Sequence, residues 1–132
     1  MAYKLTDGSA LIVEAAARVG VDSYSGYPIT PINKIYSLAH ERINNVYDAP
    51  DEITALQWAF GISASGKLPM SGTSRPGLSL MTETLEMGFM MELPALIVLA
   101  QRMGPSTGSA TTGSQGDLSF LYRMISGGFN LP

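Results

Sequence analysis

Leu93-Pro94-Ala95-Leu96-Ile97-Val98-Leu99-Ala100 decides the fold. From Ala95 to Ala100 the run is apolar without a break, has the length of a strand, and shows no amphipathic alternation. That pattern predicts a strand buried on both faces of a parallel sheet. It is less than half the length of a bilayer-spanning helix, so no membrane span is expected.

The segments on either side alternate between helix and strand. Upstream, the spacing predicts a helix over 78–90, a short strand over 68–71, and a helix from Asp51 through Ile53, Leu56, Ala59, Phe60 and Ile62 to near Gly66. Before these come a strand candidate at Val46-Tyr47-Asp48-Ala49, closed by Pro50, and a helix carrying Ile32, Ile35, Tyr36, Ala39 and Ile43. Thr30-Pro31 reads as the start of that helix, with the threonine as N-cap and proline at the first helical position. The first elements are a helix through Leu11, Ile12, Ala15, Ala16 and Val19, capped by Ser9 or a neighbour and ended at Gly20, and a strand over 21–25. Downstream, a Gly/Ser/Thr-rich loop over 104–116 leads to a helix over 118–125.

This alternation predicts a three-layer α/β domain with a mostly parallel sheet, because right-handed crossovers cover both faces with helices. The turns over 26–31, 72–77 and 104–116 each follow a strand and should share the rim at the strand carboxyl ends, where ligands of such folds bind.

Composition narrows the function. The chain has 132 residues, 45% hydrophobic and 14% charged, which suits one folded domain and excludes a disordered tail. Eight basic and eleven acidic residues give a net charge of −3 without a basic run, so nucleic acid is not an expected partner. Cysteine is absent, so any iron–sulfur cluster must sit on another domain or subunit. The first residues carry no secretory signal pattern, and a cytoplasmic location is expected.

Gly72/Gly77 and Gly108/Gly113 have the spacing of P-loop glycines, but Leu78 and Ser114 stand where its lysine belongs, and no dinucleotide fingerprint follows a strand. His40 lacks companions for a metal site and reads as a solvated surface residue; no metal ligands are expected in this chain. Met81, Met87, Met90 and Met91 read as core or subunit-interface packing. Glu52 opens a helix immediately after a strand candidate and Pro50, where the helix dipole favours an acid, and that alone would explain an exposed Glu there. Arg102, ending the apolar strand, suits either a surface salt bridge or an anion ligand.

Five segments, in order, carry a resemblance: Gly26-Tyr27-Pro28-Ile29-Thr30-Pro31; Asp51-Glu52-Ile53 with Ala55 and Gly61; Thr73-Ser74-Arg75-Pro76-Gly77-Leu78-Ser79-Leu80-Met81; Gln101-Arg102 with Gly104-Pro105-Ser106-Thr107-Gly108; and Gln115-Gly116-Asp117-Leu118. Together they resemble the start of the alpha subunit of 2-oxoacid:ferredoxin oxidoreductases, thiamine-diphosphate enzymes that make acyl-CoA from 2-oxoacids and coenzyme A. The resemblance covers nearly the whole chain. It implies that residues 1–132 form the pyrimidine-binding domain, an N-terminal piece of a longer alpha subunit. By that resemblance Tyr27, Pro28, Ile29, Thr30, Glu52 and Ser74 bind the aminopyrimidine end of the cofactor. Glu52 would be the catalytic acid that hydrogen-bonds N1′ and promotes the imino tautomer, while Thr30 and Arg102 would hold the substrate carboxylate. Magnesium, the diphosphate end and the iron–sulfur clusters would belong to partner domains or subunits: a beta subunit, and an iron–sulfur subunit or ferredoxin.

Two departures stand out. Arg75 replaces the glycine usual in the family's turn and is expected to clash with, or bind, something acidic. Ala110-Thr111-Thr112-Gly113-Ser114 lacks a lysine often found in that loop, which leaves the particular 2-oxoacid open. Two other functions remain: a pyrimidine-domain subunit of a non-oxidative thiamine-diphosphate decarboxylase, and a non-catalytic assembly module. The segments at 101–108 and 115–118 favour the oxidoreductase, and retention of Thr30, Glu52 and Arg102 disfavours the module. Self-association through the Met-rich helix and strand-end loops is also expected.

Overall fold

The computed structural model describes residues 5–125. Helix α1 (Gly8–Arg18) starts at Asp7, whose side chain accepts hydrogen bonds from the Ser9 and Ala10 amides. It gives way at Gly20, in the left-handed region with φ of 94°. Strand β1 (Ser23–Gly26) follows, then α2 (Asn33–Arg42), β2 (Asn45–Asp48) and α3 (Glu52–Ala64). The Asp51 carboxylate caps α3 by accepting from the Thr54 amide at 2.7 Å. Strand β3 (Pro69–Ser74) runs without a loop into α4 (Arg75–Met90); β4 (Leu96–Ala100) and α5 (Gly116–Ile125) complete the order.

The four strands are parallel and ordered β2-β1-β3-β4. The chain moves from β1 to β2 in one direction, then crosses back past β1 to β3 and on to β4. Crossovers of one hand running in opposite directions must lie on opposite faces. Accordingly α1 packs on α2 and α3 on α4. Alternation within the strands serves both layers: Tyr24, Met70, Val98 and Ala100 join the core with Val13, Ile32 and Ile35. Ile97 and Ala95 join Leu56, Phe60 and Met81 on the other side.

Three expectations need correction. Thr30 does not cap α2: the Ile32 amide bonds back to the Ile29 carbonyl at 2.8 Å, so a turn intervenes and Ile32 is the uncapped boundary residue. Residues 72–77 are not a loop but the end of β3 and the first turn of α4. The apolar run does form a parallel strand touched on both faces, but among the described residues β4 is the edge of the sheet. With only one neighbour its side chains are half-buried, and Leu96 is 36% exposed.

The methionines divide between core and surface. Met81 is fully buried, whereas Met87, Met90 and Met91 are exposed. No helix among the described residues is long and apolar enough to cross a membrane.

Candidate active site

All four strands point their carboxyl ends the same way, so the segments leaving Gly26, Asp48, Ser74 and Ala100 share one rim. The strand order reverses between β1 and β3, which opens the crevice where ligands of parallel α/β sheets gather.

Glu52 is the first residue of α3, placed there by the Asp51 cap. It is 6% exposed, yet no hydrogen bond or ion pair from a described residue reaches its carboxylate. The dipole of α3 favours an acid at this position, but burial without a partner is costly. The carboxylate lies against Gly77 in the first turn of α4: a Cβ placed on Gly77 would overlap Thr73 Oγ1 and stand 2.6 Å from Glu52 Cγ and 3.1 Å from Oε1. Thr73 and Glu52 thus face each other across a space that exists because residue 77 has no side chain. The Thr73 hydroxyl has only a long contact to the Ser74 carbonyl, 3.4 Å away. Ser74, the last residue of β3, is fully buried, and among the described residues its hydroxyl has no partner and caps nothing.

A second group forms where β4 ends. The Arg102 guanidinium donates from Nη1 to the Thr30 carbonyl at 3.0 Å, and from Nε and Nη2 to the Thr107 carbonyl at 3.0 and 2.7 Å. These bonds use three of its five N–H donors. No carboxylate among the described residues pairs with its guanidinium, so the surface salt bridge considered for Arg102 does not form. Thr30 and Arg102, far apart in the chain, therefore meet directly, leaving a half-buried cation with donors to spare. The Thr30 hydroxyl accepts from Asn33 Nδ2 at 3.3 Å. Between Gly26 and Thr30, Tyr27 is half-buried, Pro28 is exposed and Ile29 packs on the core.

His40 is exposed but not merely solvated: its Nε2 lies 2.9 Å from Asp48 Oδ1, to which the Tyr36 hydroxyl also donates, at 2.6 Å. Burial, followed by the bond to Asp48, pushes the Tyr36 phenol up to about 12. This cluster braces the end of β2 on the same rim.

Residues 14–128 match the family model described as pyruvate flavodoxin/ferredoxin oxidoreductase, thiamine diphosphate-binding. The chain belongs to this family. A 2-oxoglutarate synthase subunit KorA of Methanocaldococcus jannaschii is 37% identical over 122 residues, covering 89% of this chain and 33% of that protein. A 2-oxoglutarate oxidoreductase subunit KorA of Mycobacterium tuberculosis is 43% identical over 111 residues, 81% of this chain and 17% of the relative. A solved 2-oxoglutarate:ferredoxin oxidoreductase from Magnetococcus marinus, with 2-oxoglutarate, coenzyme A and succinyl-CoA bound, superposes with a TM-score of 0.75. Its identity is 36%, over 80% of this chain and 19% of that one. This member of the pyruvate flavodoxin/ferredoxin oxidoreductase family thus spans about a third or less of the relatives it matches.

In this member of the family, three residues framing the candidate site have structural roles that the sequence motifs do not state. Alternation along β3 puts Thr73 on the α3 side, and that signal was available. Gly77 reads as a turn glycine when it is a close-approach glycine. Asp117, fully buried, accepts the Arg102 amide at 2.8 Å through Oδ2, and nothing in its local sequence points to so distant a partner.

Proposed function

We propose that residues 1–132 are the pyrimidine-binding domain of a thiamine-diphosphate-dependent 2-oxoacid:ferredoxin oxidoreductase, within a longer alpha subunit. The whole enzyme would convert a 2-oxoacid and coenzyme A to acyl-CoA and CO2, passing two electrons through iron–sulfur clusters on other domains or subunits to ferredoxin. Partner domains would bind magnesium and the diphosphate. The observation that supports this most strongly is Glu52, a residue only 6% exposed whose carboxylate has no partner among the described residues.

The residues present fit the cofactor's aminopyrimidine. Glu52 offers a sheltered carboxyl able to share a proton with ring nitrogen N1′, and at the end of β3 the buried Ser74 hydroxyl has no partner among the described residues. When bound, thiamine diphosphate supplies the carbon nucleophile for the 2-oxo carbonyl and takes up the negative charge left by loss of CO2. Glu52 holds and returns the proton at N1′, help of the general acid–base kind worth about 10²- to 10⁴-fold. Arg102 directs its remaining N–H donors at the substrate carboxylate, and Thr30 adds a hydroxyl beside it. Holding that carboxylate fixes the orientation of the carbonyl before reaction, which can supply several kcal/mol.

The test is assembly with the partner subunits, followed by assay of ferredoxin reduction and acyl-CoA formation from 2-oxoglutarate and from a branched 2-oxoacid. Turnover should require thiamine diphosphate, magnesium and coenzyme A. Decarboxylation to an aldehyde without coenzyme A or ferredoxin would replace this function with the non-oxidative one, and no cofactor-dependent turnover would leave an assembly module.

Thr30→Val separates binding from folding. Because Thr30 caps no helix, the thermal midpoint should hold, with stability changed by no more than about 0.5 kcal/mol. Loss of a hydrogen bond to a charged carboxylate, about 1.5–3 kcal/mol, should raise KM for the 2-oxoacid by about tenfold or more. An unchanged KM would remove Thr30 from the substrate site.

A further inference from the structure

Arg75 occupies a position that its own helix disfavours. It is the first residue of α4, where the dipole opposes a cation, yet its side chain is only 16% exposed. Three contacts hold it. Nε lies 3.5 Å from Oδ1 of Asp117, an ion-pair distance without a hydrogen bond; that carboxylate is 1% exposed, in the first turn of α5, and its Oδ1 has no hydrogen-bond partner among the described residues. The guanidinium stacks 4.0 Å over the Phe120 ring of that helix. Nη1 donates to Ser79 Oγ at 2.6 Å. The side chain also fills the space over Gly104, where an added Cβ would stand 3.0 Å from Arg75 Cγ.

The other oxygen of Asp117 accepts the Arg102 amide. One buried carboxylate therefore joins the Arg75 side chain to the backbone of Arg102. We infer that Arg75 is a positioning residue: through Asp117 it fixes the strand-end loop that presents the Arg102 guanidinium beside Thr30. This role in catalysis rests on the function proposed above; the mechanical link between Arg75 and the loop does not. A buried ion pair of this kind contributes little net stability but fixes one arrangement, and removing one partner strands the other's charge. Arg75 is itself too covered and too occupied to be the ligand for the substrate carboxylate.

The experiment uses the assembled enzyme with Arg75→Met, which keeps the stem and removes the charge, Arg75→Lys, and the double variant Arg75→Met/Asp117→Asn. Two readouts are taken: steady-state kinetics, and hydrogen exchange of the amides over 101–109. Arg75→Met should raise KM for the 2-oxoacid by about tenfold or more, with kcat within about threefold and thiamine diphosphate affinity unchanged. It should also speed exchange at the Arg102 amide. Arg75→Lys should recover part of both effects, and the double variant should recover stability, since no buried charge is left alone. Unchanged exchange in the loop, or equal losses in kcat and cofactor binding without rescue by lysine, would overturn the inference. If Arg75→Met does not fold, the lysine and double variants carry the same comparison. If the parent enzyme turns over no 2-oxoacid, the proposed function fails, and the exchange readout still decides whether Arg75 holds the loop.

Discussion

Glu52→Gln is expected to stop turnover in the assembled enzyme while leaving the domain at least as well folded. Most substitutions at buried positions lose stability; this one should not. Glu52 as a residue is 6% exposed and no described residue donates to its carboxylate, so the cost of that burial is not offset by a hydrogen bond among the described residues. An amide of nearly the same shape removes the charge without opening a cavity, and stability should stay within about 1 kcal/mol of the parent or rise. The catalytic effect runs the other way. An amide cannot exchange a proton with N1′, and the loss should be at least the 10²- to 10⁴-fold typical of general acid–base help. Turnover measured beside chemical denaturation gives both numbers. A Gln variant with near-normal turnover would remove Glu52 from the mechanism. One that unfolds would mean that the carboxylate is held by the protein and not kept for a ligand.

Lost activity paired with kept stability would mark a group placed for binding partners outside the domain. Ser74 and Arg102 share the structural side of this in weaker form: a buried hydroxyl with no partner among the described residues, and a guanidinium tied to two carbonyls but to no described acid. Natural cores seldom leave such groups unsatisfied without a reason.

The order of elements could be read from the sequence because hydrophobic period and local punctuation agree. Asp51 caps the helix it precedes, Gly20 ends the first, and the run at Ala95–Ala100 can only be a strand in a sheet covered by helices. Its place at the edge was not legible, since strand order depends on contacts that no local pattern encodes. Thr30-Pro31 misled because the same pair suits a helix start and a turn just before one. The glycines misled for a different reason. A local reading takes Gly72 and Gly77 as bends, but Gly72 lies in a strand beneath Tyr24 and Ile32, where an added Cβ would stand 3.1 Å from the Tyr24 hydroxyl and 3.0 Å from Ile32 Cγ1. Both mark close approach. For the candidate site, the proposed roles of Glu52, Thr30 and Arg102 rest on family resemblance, while the pairing of Arg75 with Asp117 depends on the approach of two helices that no local pattern encodes.

Gly77→Ala tests the space around Glu52 from the other side. Two opposed effects meet at this position. Alanine in a helix is favoured over glycine by about 1 kcal/mol, so propensity alone predicts a gain. The new methyl, however, would overlap Thr73 Oγ1 and press on Glu52 Cγ from 2.6 Å, and overpacking of that kind typically costs about 1–3 kcal/mol. Collision should win, giving a net loss of about 0–2 kcal/mol in stability. The functional loss should be larger, because displacing a catalytic carboxyl by about 1 Å can cost about 10²-fold. Thr73→Ala/Gly77→Ala then removes one of the two colliding atoms. It should regain most of the lost stability but only part of the activity, since the methyl still crowds Glu52. A Gly77→Ala enzyme more stable than its parent and fully active would show that the carboxyl does not lie in the crevice between α3 and α4 during turnover, and the acid–base role of Glu52 would fall with that placement.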